Sequence, residues 1–189
     1  MGSLRIIGGR LRGRKVPVPP HDLRPTSGRA REAYFNVVAA EVDGASFLDL
    51  YSGSGIFSLE AASRGAARIV AVDLAGGALR ALGSLAREWK LPIETMTADA
   101  RTAMKRLSDA VPFDLVWADP PYGGGDHAPL LQAIDETLAL SPGAIVAIEH
   151  RGGESPFESV ALRRLVFRKT ARYGNVAISY FDLGGGAAD

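Results

Sequence analysis

Residues 119–122, with the sequence D-P-P-Y, have the residue types needed to orient an amino group for reaction. Proline fixes φ, lacks an N–H and forces the residue before it into an extended conformation. Two consecutive prolines, Pro120 and Pro121, therefore hold the Asp119 carboxylate and the carbonyl of Pro120 in fixed directions. Both groups are acceptors, and two fixed acceptors match the two N–H donors of a planar –NH2 group.

Tyr122 and the glycines that follow it indicate how a substrate would be held. The ring offers a face on which a purine can stack, worth about 1–3 kcal/mol per base, and glycines 123–125 would let the loop open and close. Bonds from both N–H groups would direct the amine lone pair toward a methyl donor. Asp119 need not be a strong base, because the proton can leave after methyl transfer. The structural alternative is a proline-stiffened turn.

Three further acids follow apolar runs, at positions where a nucleoside with a charged tail would bind. Asp49 precedes a glycine-containing loop, residues 51–55, whose backbone can pass close to a ligand. Asp73 lies 20 residues after Gly53, where an acid can accept hydrogen bonds from both ribose hydroxyls. Asp99 could meet the exocyclic amine of an adenine. Each acid alone is equally well explained as a helix cap or a surface charge, but three in succession favour a ligand site.

Asp49 distinguishes between two kinds of nucleotide cofactor. A carboxylate here would repel a pyrophosphate and attract the ammonium group of an amino-acid moiety. The dinucleotide fingerprint G-x-G-x-x-G also fails, because residue 58 is a serine. The sequence therefore favours S-adenosylmethionine over NAD and argues against a dehydrogenase. The residues expected to contact this cofactor are Asp49, Tyr51, Gly53, Ser54, Gly55, Asp73, Leu74, Asp99 and Ala100.

Short apolar runs alternate with helical segments and would position these residues. The predicted strands are 46–51, 68–73, 93–98, 113–118 and 143–150, and the predicted helices are 29–40, 56–64, 74–89 and 127–140. This alternation predicts an α/β fold with a mostly parallel, doubly wound sheet, in which ligands bind outside the carboxyl ends of the strands. Residues 162–183 contain two more alternating runs, joined at 173–175, as in an antiparallel hairpin at a sheet edge.

The N-terminal end carries most of the positive charge. Residues 1–31 hold eight basic residues and one acid, a net of +7, which leaves 14 basic and 20 acidic residues, a net of −6, in residues 32–189. A basic end on an acidic body is typical of a protein that binds a polyanion. Alternation within residues 4–18 predicts a hairpin with Gly8 and Gly9 as its turn, and the alternative is a solvated, disordered tail. The residues expected to contact the polyanion are Arg5, Arg10, Arg12, Arg14 and Lys15.

The predicted organisation is a basic arm (residues 1–25), a methyltransferase domain (residues 26–183) and a disordered tail (residues 184–189). A chain of 189 residues is long enough for one such domain. The absence of cysteine excludes disulfides, thiolate chemistry and cysteine-based metal sites. No run approaches the roughly 20 apolar residues of a membrane span, and the N-terminus does not resemble a secretory signal. We expect a cytoplasmic monomer without a metal, since none of the three histidines is placed for catalysis or a metal cluster.

Several segments together resemble the bacterial 16S ribosomal RNA guanine-N2 methyltransferases. The D-P-P-Y segment is similar to that of amino-group methyltransferases acting on nucleic-acid bases, and the more specific matches are RIIGGRLRGRK (5–15), LRPTSGRARE (23–32), FLDLYSGSG (47–55) and LEAASRGA (59–66). The resemblance implies a class I methyltransferase fold with seven strands, the last antiparallel. It also implies methyl transfer from S-adenosylmethionine, leaving S-adenosylhomocysteine, to a guanine of 16S ribosomal RNA within a partly assembled small subunit.

The resemblance assigns the same roles to the four acids, the glycine loop and D-P-P-Y, with two departures. Gly28 stands where an acidic or polar residue is usual, and Asp73 replaces the more common glutamate. The residues themselves also allow an adenine N6 or cytosine N4 amine of DNA or RNA, or a protein glutamine. A module that only binds would predict a damaged acceptor pair, and this one is intact. Arg29 and Arg31 are equally expected to contact RNA or to bridge arm and body.

Overall fold

The structure is a computed structural model, and it describes residues 2–18, 28–122 and 125–184. The strands are β1 (Gly2–Arg5), β2 (Lys15–Val18), β3 (Ser46–Leu50), β4 (Arg68–Asp73), β5 (Ile93–Thr97), β6 (Phe113–Ala118), β7 (Leu140–Arg151), β8 (Leu165–Tyr173) and β9 (Val176–Leu183). The helices are α1 (Gly28–Val37), α2 (Ile56–Ser63), α3 (Gly76–Glu88), α4 (Ala100–Arg106) and α5 (His127–Thr137). The predicted boundary at residue 25, the glycines at 123 and 124, and the predicted tail beyond Gly184 lie outside the described residues.

Strands β3 to β9 form one sheet in the order β5-β4-β3-β6-β7-β9-β8. Strands β3 to β7 run parallel to one another, whereas β9 is antiparallel to both β7 and β8. This confirms the predicted seven-stranded, mostly parallel sheet with an antiparallel last strand. The strand order reverses between β3 and β6, and ligands bind at such a switch point in open α/β sheets. Asp49 lies in β3 and Asp119 directly follows β6.

Both faces of the sheet are covered, which explains why its central strands are continuous apolar runs. Helices α1, α2 and α3 pack on one face, and α4 and α5 pack on the other. On the first face Trp117 stacks on Phe57, with 4.0 Å between ring centroids, and lies 4.8 Å from the Tyr34 ring. Trp117 therefore belongs to the core on this face of the sheet. No helix among the described ranges is long and apolar enough to cross a membrane.

The basic arm contains the predicted hairpin, but the predicted turn was wrong. Arg5 pairs with Lys15, and a nine-residue connection with a 3-10 turn at Gly9–Leu11 joins the two strands. A contact with α2 shapes this connection, because the Leu11 N–H donates to Ser63 Oγ at 2.9 Å. The turn is therefore set by a helix more than 50 residues away, which local turn chemistry does not reveal.

Two other local predictions also differ from the structure. Helix α4 was not predicted, because it is short and only Ala100, Ala103 and Met104 of its residues are buried. The predicted helix 127–140 ends at Thr137, since Leu138 is already extended with ψ 135° and β7 begins at Leu140. In both cases tertiary packing outweighs a weak local pattern.

Buried charged and polar groups join the arm to the body. Glu60 is fully buried and accepts hydrogen bonds from the Ile7 and Gly8 N–H groups, while Arg31 Nη2 donates to the Arg5 carbonyl at 2.8 Å. Arg31 Nε also lies 3.5 Å from Glu60 Oε1. Of the two roles expected for Arg31, the structure shows the bridge between arm and body, and Glu60 is its structural partner.

Candidate active site

The carboxyl ends of β3, β4 and β6 surround a cavity of about 280 Å³. Three of the four predicted acids contribute to its wall, and Leu4 of the arm and Arg31 of α1 lie there too. A second cavity, of about 330 Å³, shares Tyr51, Asp73 and Pro121 with the first. The lining of these two cavities includes Asp49, Tyr51, Ser52, Gly53, Ser54, Asp73, Leu74, Asp99, Ala100, Asp119 and Pro121. The fold therefore brings the predicted cofactor residues and the D-P-P-Y loop (residues 119–122) to one edge of the sheet.

Asp49 is a buried carboxyl at the centre of this edge. Its Oδ2 accepts hydrogen bonds from the N–H of Ser58 at 3.0 Å and from Ser58 Oγ at 2.6 Å. Burial raises the pKa of Asp49 to about 7; the Ser58 bonds oppose this shift, and Asp73 and Asp119 add to it. Sequence reasoning treated Ser58 only as a break in the dinucleotide fingerprint. Its position in the first turn of α2, directly after the glycine loop, was the signal for this contact.

The glycine loop between β3 and α2 has an unusual backbone. Tyr51, Gly53 and Gly55 have φ values of +60°, +50° and +71°, all in the left-handed region. A side chain at Gly55 would lie 2.5 Å from Leu82 of α3, whereas one at Gly53 would meet nothing within 4 Å. Gly55 therefore permits close packing on α3, and left-handed Tyr51 carries a strain of about 1–2 kcal/mol, as occurs at ligand-binding loops.

Ser52, also in this loop, is a second residue that sequence reasoning did not select. Its Oγ is buried and has no hydrogen-bond partner among the described residues, although the residue contributes to the wall of the 280 Å³ cavity. Buried hydroxyls are nearly always hydrogen-bonded in folded proteins. The unpartnered Oγ therefore fits a polar ligand group in this cavity.

Asp73 connects the loop to the end of β4. Its Oδ2 accepts from the Gly53 N–H at 2.8 Å and its Oδ1 from the Ala75 N–H at 2.7 Å. Each carboxylate oxygen has a further lone pair, so hydroxyl donors of a ligand can still be accommodated. Leu74, the next residue, is 72% exposed and contributes to the second cavity. A large exposed apolar side chain beside an acid suits a nucleoside, which has hydroxyls on one side and a flat ring on the other.

Asp99 caps helix α4. Its Oδ1 accepts from the Thr102 N–H at 2.9 Å, and hydrogen bonds from Thr102 lower the pKa of Asp99. The alternative explanation for this acid, a helix cap, therefore applies. The cap uses one carboxylate oxygen, and Asp99 also lies in the wall of the second cavity with Ala100, so a contact with a ligand amine is compatible with it.

The D-P-P-Y loop begins at the end of β6, where the Asp119 N–H donates to the Leu50 carbonyl at 3.3 Å. Pro120 is buried, and Asp119 and Pro121 contribute to the wall of the 280 Å³ cavity. Tyr122 is 36% exposed, and its hydroxyl donates to Glu149 Oε1 at 2.8 Å. The proline-stiffened segment thus directs a carboxylate into the cavity and leaves part of an aromatic ring accessible beside it.

Glu149 of β7 is a third residue of this region that sequence reasoning missed. It is 2% exposed, and burial, then the charge of Asp119, raises its pKa to about 8, while the hydrogen bond from Tyr122 opposes the shift. The available signal was an acid at the end of an otherwise apolar strand, next in line to the strand that carries Asp119.

All five predicted RNA-binding residues lie in or beside the hairpin, and all are exposed. Arg5 Nη1 donates to the Gly13 carbonyl at 3.1 Å, and the Arg14 guanidinium lies 4.8 Å from the centre of the Trp89 ring. Since Leu4 contributes to the cavity wall, this basic hairpin lies next to the candidate site. Among the described side chains, no group of three could hold a metal ion.

Comparisons with known proteins agree with this geometry. The family model described as conserved hypothetical protein 95 matches residues 4–182. Ribosomal RNA small subunit methyltransferase D of Escherichia coli is 33% identical over 150 residues, which cover 78% of this chain and 75% of that protein. The Haemophilus influenzae protein of the same name is 29% identical over 159 residues, 78% of this chain and 79% of its own. A solved Escherichia coli structure named "Putative methyltransferase yhhF" superposes with a TM-score of 0.82 at 28% identity, over 96% of this chain and 98% of that one.

Proposed function

This chain belongs to the conserved hypothetical protein 95 family and is a relative of ribosomal RNA small subunit methyltransferase D, and we propose that it methylates small-subunit ribosomal RNA. The acceptor is the N2 amine of a guanine in 16S ribosomal RNA, as the resemblance in its motifs implies. The observation that carries the proposal is the meeting of the D-P-P-Y loop with an acid-lined cavity at the switch point of the sheet.

The cavities fit S-adenosylmethionine group by group. Asp49 suits the ammonium of the methionine part, Asp73 the ribose hydroxyls and exposed Leu74 the adenine ring, while the unpartnered Ser52 Oγ offers a further polar contact. When bound, the cofactor supplies a methyl group whose S–C bond breaks as the new N–C bond forms, leaving S-adenosylhomocysteine. Asp99 and Ala100 border the ring from the side of α4.

Residues of the D-P-P-Y loop orient the acceptor amine. Its two N–H groups donate to the Asp119 carboxylate and the Pro120 carbonyl, which directs the nitrogen lone pair at the methyl group. Tyr122, which is partly exposed, supports the base by stacking. Asp119 stabilises the positive charge that develops on the nitrogen and is placed to accept the departing proton.

The basic arm holds the RNA. Its exposed arginines contact phosphates, which position the substrate without reading its sequence. Ile6 and Val16 of the arm are buried in the same core as α1 and α2. Arm (1–25) and methyltransferase domain (26–183) therefore act as one unit on a base turned out of the RNA or already single-stranded. We expect the substrate to be presented in a small-subunit particle and the enzyme to act as a monomer.

The proposal is tested by supplying labelled S-adenosylmethionine with either unmethylated small-subunit particles or naked small-subunit RNA, and mapping the labelled base. We expect one guanine, methylated at N2, with faster transfer to the particle. Asp119→Ala should abolish transfer while cofactor affinity changes little. Label on an adenine, a cytosine or a protein glutamine would show that this group, and not the guanine N2 amine, is the acceptor. Loss of cofactor binding in the variant would show that Asp119 acts in cofactor binding and not in catalysis.

A further inference from the structure

Glu149 lies beside Asp119 but has no role in the reaction described above. The register between β6 and β7 pairs Trp117 with Ala147 and Ala118 with Ile148. The next residues along the two strands are Asp119 and Glu149, and alternation places them on the same face of the sheet as Trp117. Two carboxyl groups are therefore neighbours at the end of the sheet where we place the acceptor base.

The two oxygens of Glu149 have different surroundings. Oε1 accepts the Tyr122 hydroxyl at 2.8 Å, whereas Oε2 is buried and has no hydrogen-bond partner in the described part of the chain. An ionised carboxylate with an unpartnered buried oxygen, next to a second carboxylate, is costly. A proton on Oε2 removes the buried charge and leaves Oε1 as the acceptor of the Tyr122 hydroxyl. The pKa of Glu149, raised to about 8 chiefly by burial and next by Asp119, agrees with this form.

We propose that Glu149 is a positioning residue, a neutral acid that anchors Tyr122 and so holds the D-P-P-Y loop in place. The inference rests on the proposed function. A fixed hydroxyl limits the orientations that the ring of Tyr122 can adopt. The anchor uses the hydroxyl end of the side chain.

The titratable and main-chain groups around Glu149 determine which variants can report its protonation. Asp119 faces it from the end of β6 and Tyr122 from the loop, while His127 of α5 meets its main-chain carbonyl and Ile178 is its neighbour on β9. Glu149→Gln keeps a neutral acceptor of the same shape and removes only the ionisation. Glu94→Gln, at an exposed carboxyl on edge strand β5, is the matched control.

The first test needs no RNA and follows unfolding against pH. A carboxyl whose folded pKa is raised contributes stability that is fully present below its unfolded pKa of about 4.3 and is lost as pH rises through about 8. Between pH 5 and 7 the unfolding constant of the wild type should therefore rise relative to that of Glu149→Gln, by up to about tenfold per pH unit. A slope no steeper than the one measured for the Glu94→Gln control would show that Glu149 is ionised in the folded protein and would overturn the proposal.

The second test measures methyl transfer to small-subunit RNA. Tyr122→Phe and Glu149→Ala should each lower kcat/KM about threefold to tenfold, the worth of one hydrogen bond, and the double variant should be no worse than either. Glu149→Gln should restore most of the rate, and cofactor affinity should stay within about twofold throughout. If Glu149→Gln is as slow as Glu149→Ala, or the double variant is additive, the anchor is refuted. A chain inactive on this RNA would refute the proposed function, while the unfolding ratio would still decide this inference.

Discussion

Asp49 is a buried carboxyl whose ionisation would respond to a charged ligand placed against it. Burial raises its pKa to about 7, against the two hydrogen bonds from Ser58. A positively charged group placed against it would favour the ionised form and lower that pKa again. Binding of an ammonium group below pH 7 therefore releases a proton from Asp49, and the affinity for the ligand must depend on pH.

We expect S-adenosylmethionine to bind more tightly as pH rises from 5.5 to 7, by roughly tenfold in total. The α-amino group of the ligand stays protonated in this window, so the change reports Asp49. Calorimetric titration at several pH values measures it, together with the protons released. Asp49→Asn should bind weakly and with little pH dependence. An equal slope in wild type and variant would show that Asp49 does not meet the ammonium group.

Among the structural elements, the connection of the arm hairpin packs against helix α2, and local sequence pattern did not predict this contact. Gly9 has φ +69°, and a Cβ there would overlap the main-chain oxygen of Ser63. The helix backbone cannot yield as a side chain could, so any larger residue at Gly9 must separate arm from helix. Gly13, in the same connection, has φ +86°, but a Cβ added there would have nothing within 4 Å.

Gly9→Ala should therefore destabilise the protein by about 2–4 kcal/mol, whereas Gly13→Ala should cost only the left-handed strain of about 1–2 kcal/mol. Urea unfolding of both variants measures the difference, which isolates the contact with α2 because both sites share the backbone strain. Equal losses of stability would mean that the arm is not held by this contact.

Charge is unevenly distributed over the whole molecule, with a net charge of +7 in residues 1–31 and −6 in the remainder. The contacts of Arg31 and Glu60 hold the basic hairpin beside the cavity, so the positive charge borders the site. An RNA backbone attracted to the hairpin would then bring its bases to the carboxyl edge of the sheet.

Neutralising Arg10, Arg12 and Arg14 together, each to Gln, should weaken RNA binding and flatten its salt dependence. The slope of log K against log salt should fall by about 0.7–0.9 for each arginine–phosphate pair removed. Filter binding or fluorescence anisotropy at four salt concentrations measures it. Lys105→Gln with Arg106→Gln, exposed on α4 at the opposite face of the sheet, should leave the slope unchanged. The same slope in wild type and the arm variant would show that the hairpin is not part of the RNA-binding surface.

The sheet and the edge at which ligands bind could be predicted from local sequence pattern. Apolar runs long enough for buried strands, separated by helical periodicity, specify parallel βα units. Because the carboxyl ends of parallel strands meet at one edge of the sheet, an acid or glycine at the end of such a run must lie at that edge. Asp49, Asp73 and Asp119 were therefore identifiable before the fold was known, because their positions follow from that pattern alone.

The pairs of groups that meet across that edge became visible only in the folded chain. Ser58 reaches Asp49 over 9 residues, Tyr122 reaches Glu149 over 27, and Ile7 reaches Glu60 over 53. The contact of Tyr122 depends on the register between strands, where one step would move every side chain to the other face, and the contact of Ile7 depends on the docking of the arm. Local pattern marks the positions of Ser58 and Glu149 but does not give their partners, so the bonds from Ser58 to Asp49, the pairing of Glu149 with Tyr122 and the connection of the arm had to be read from the tertiary structure.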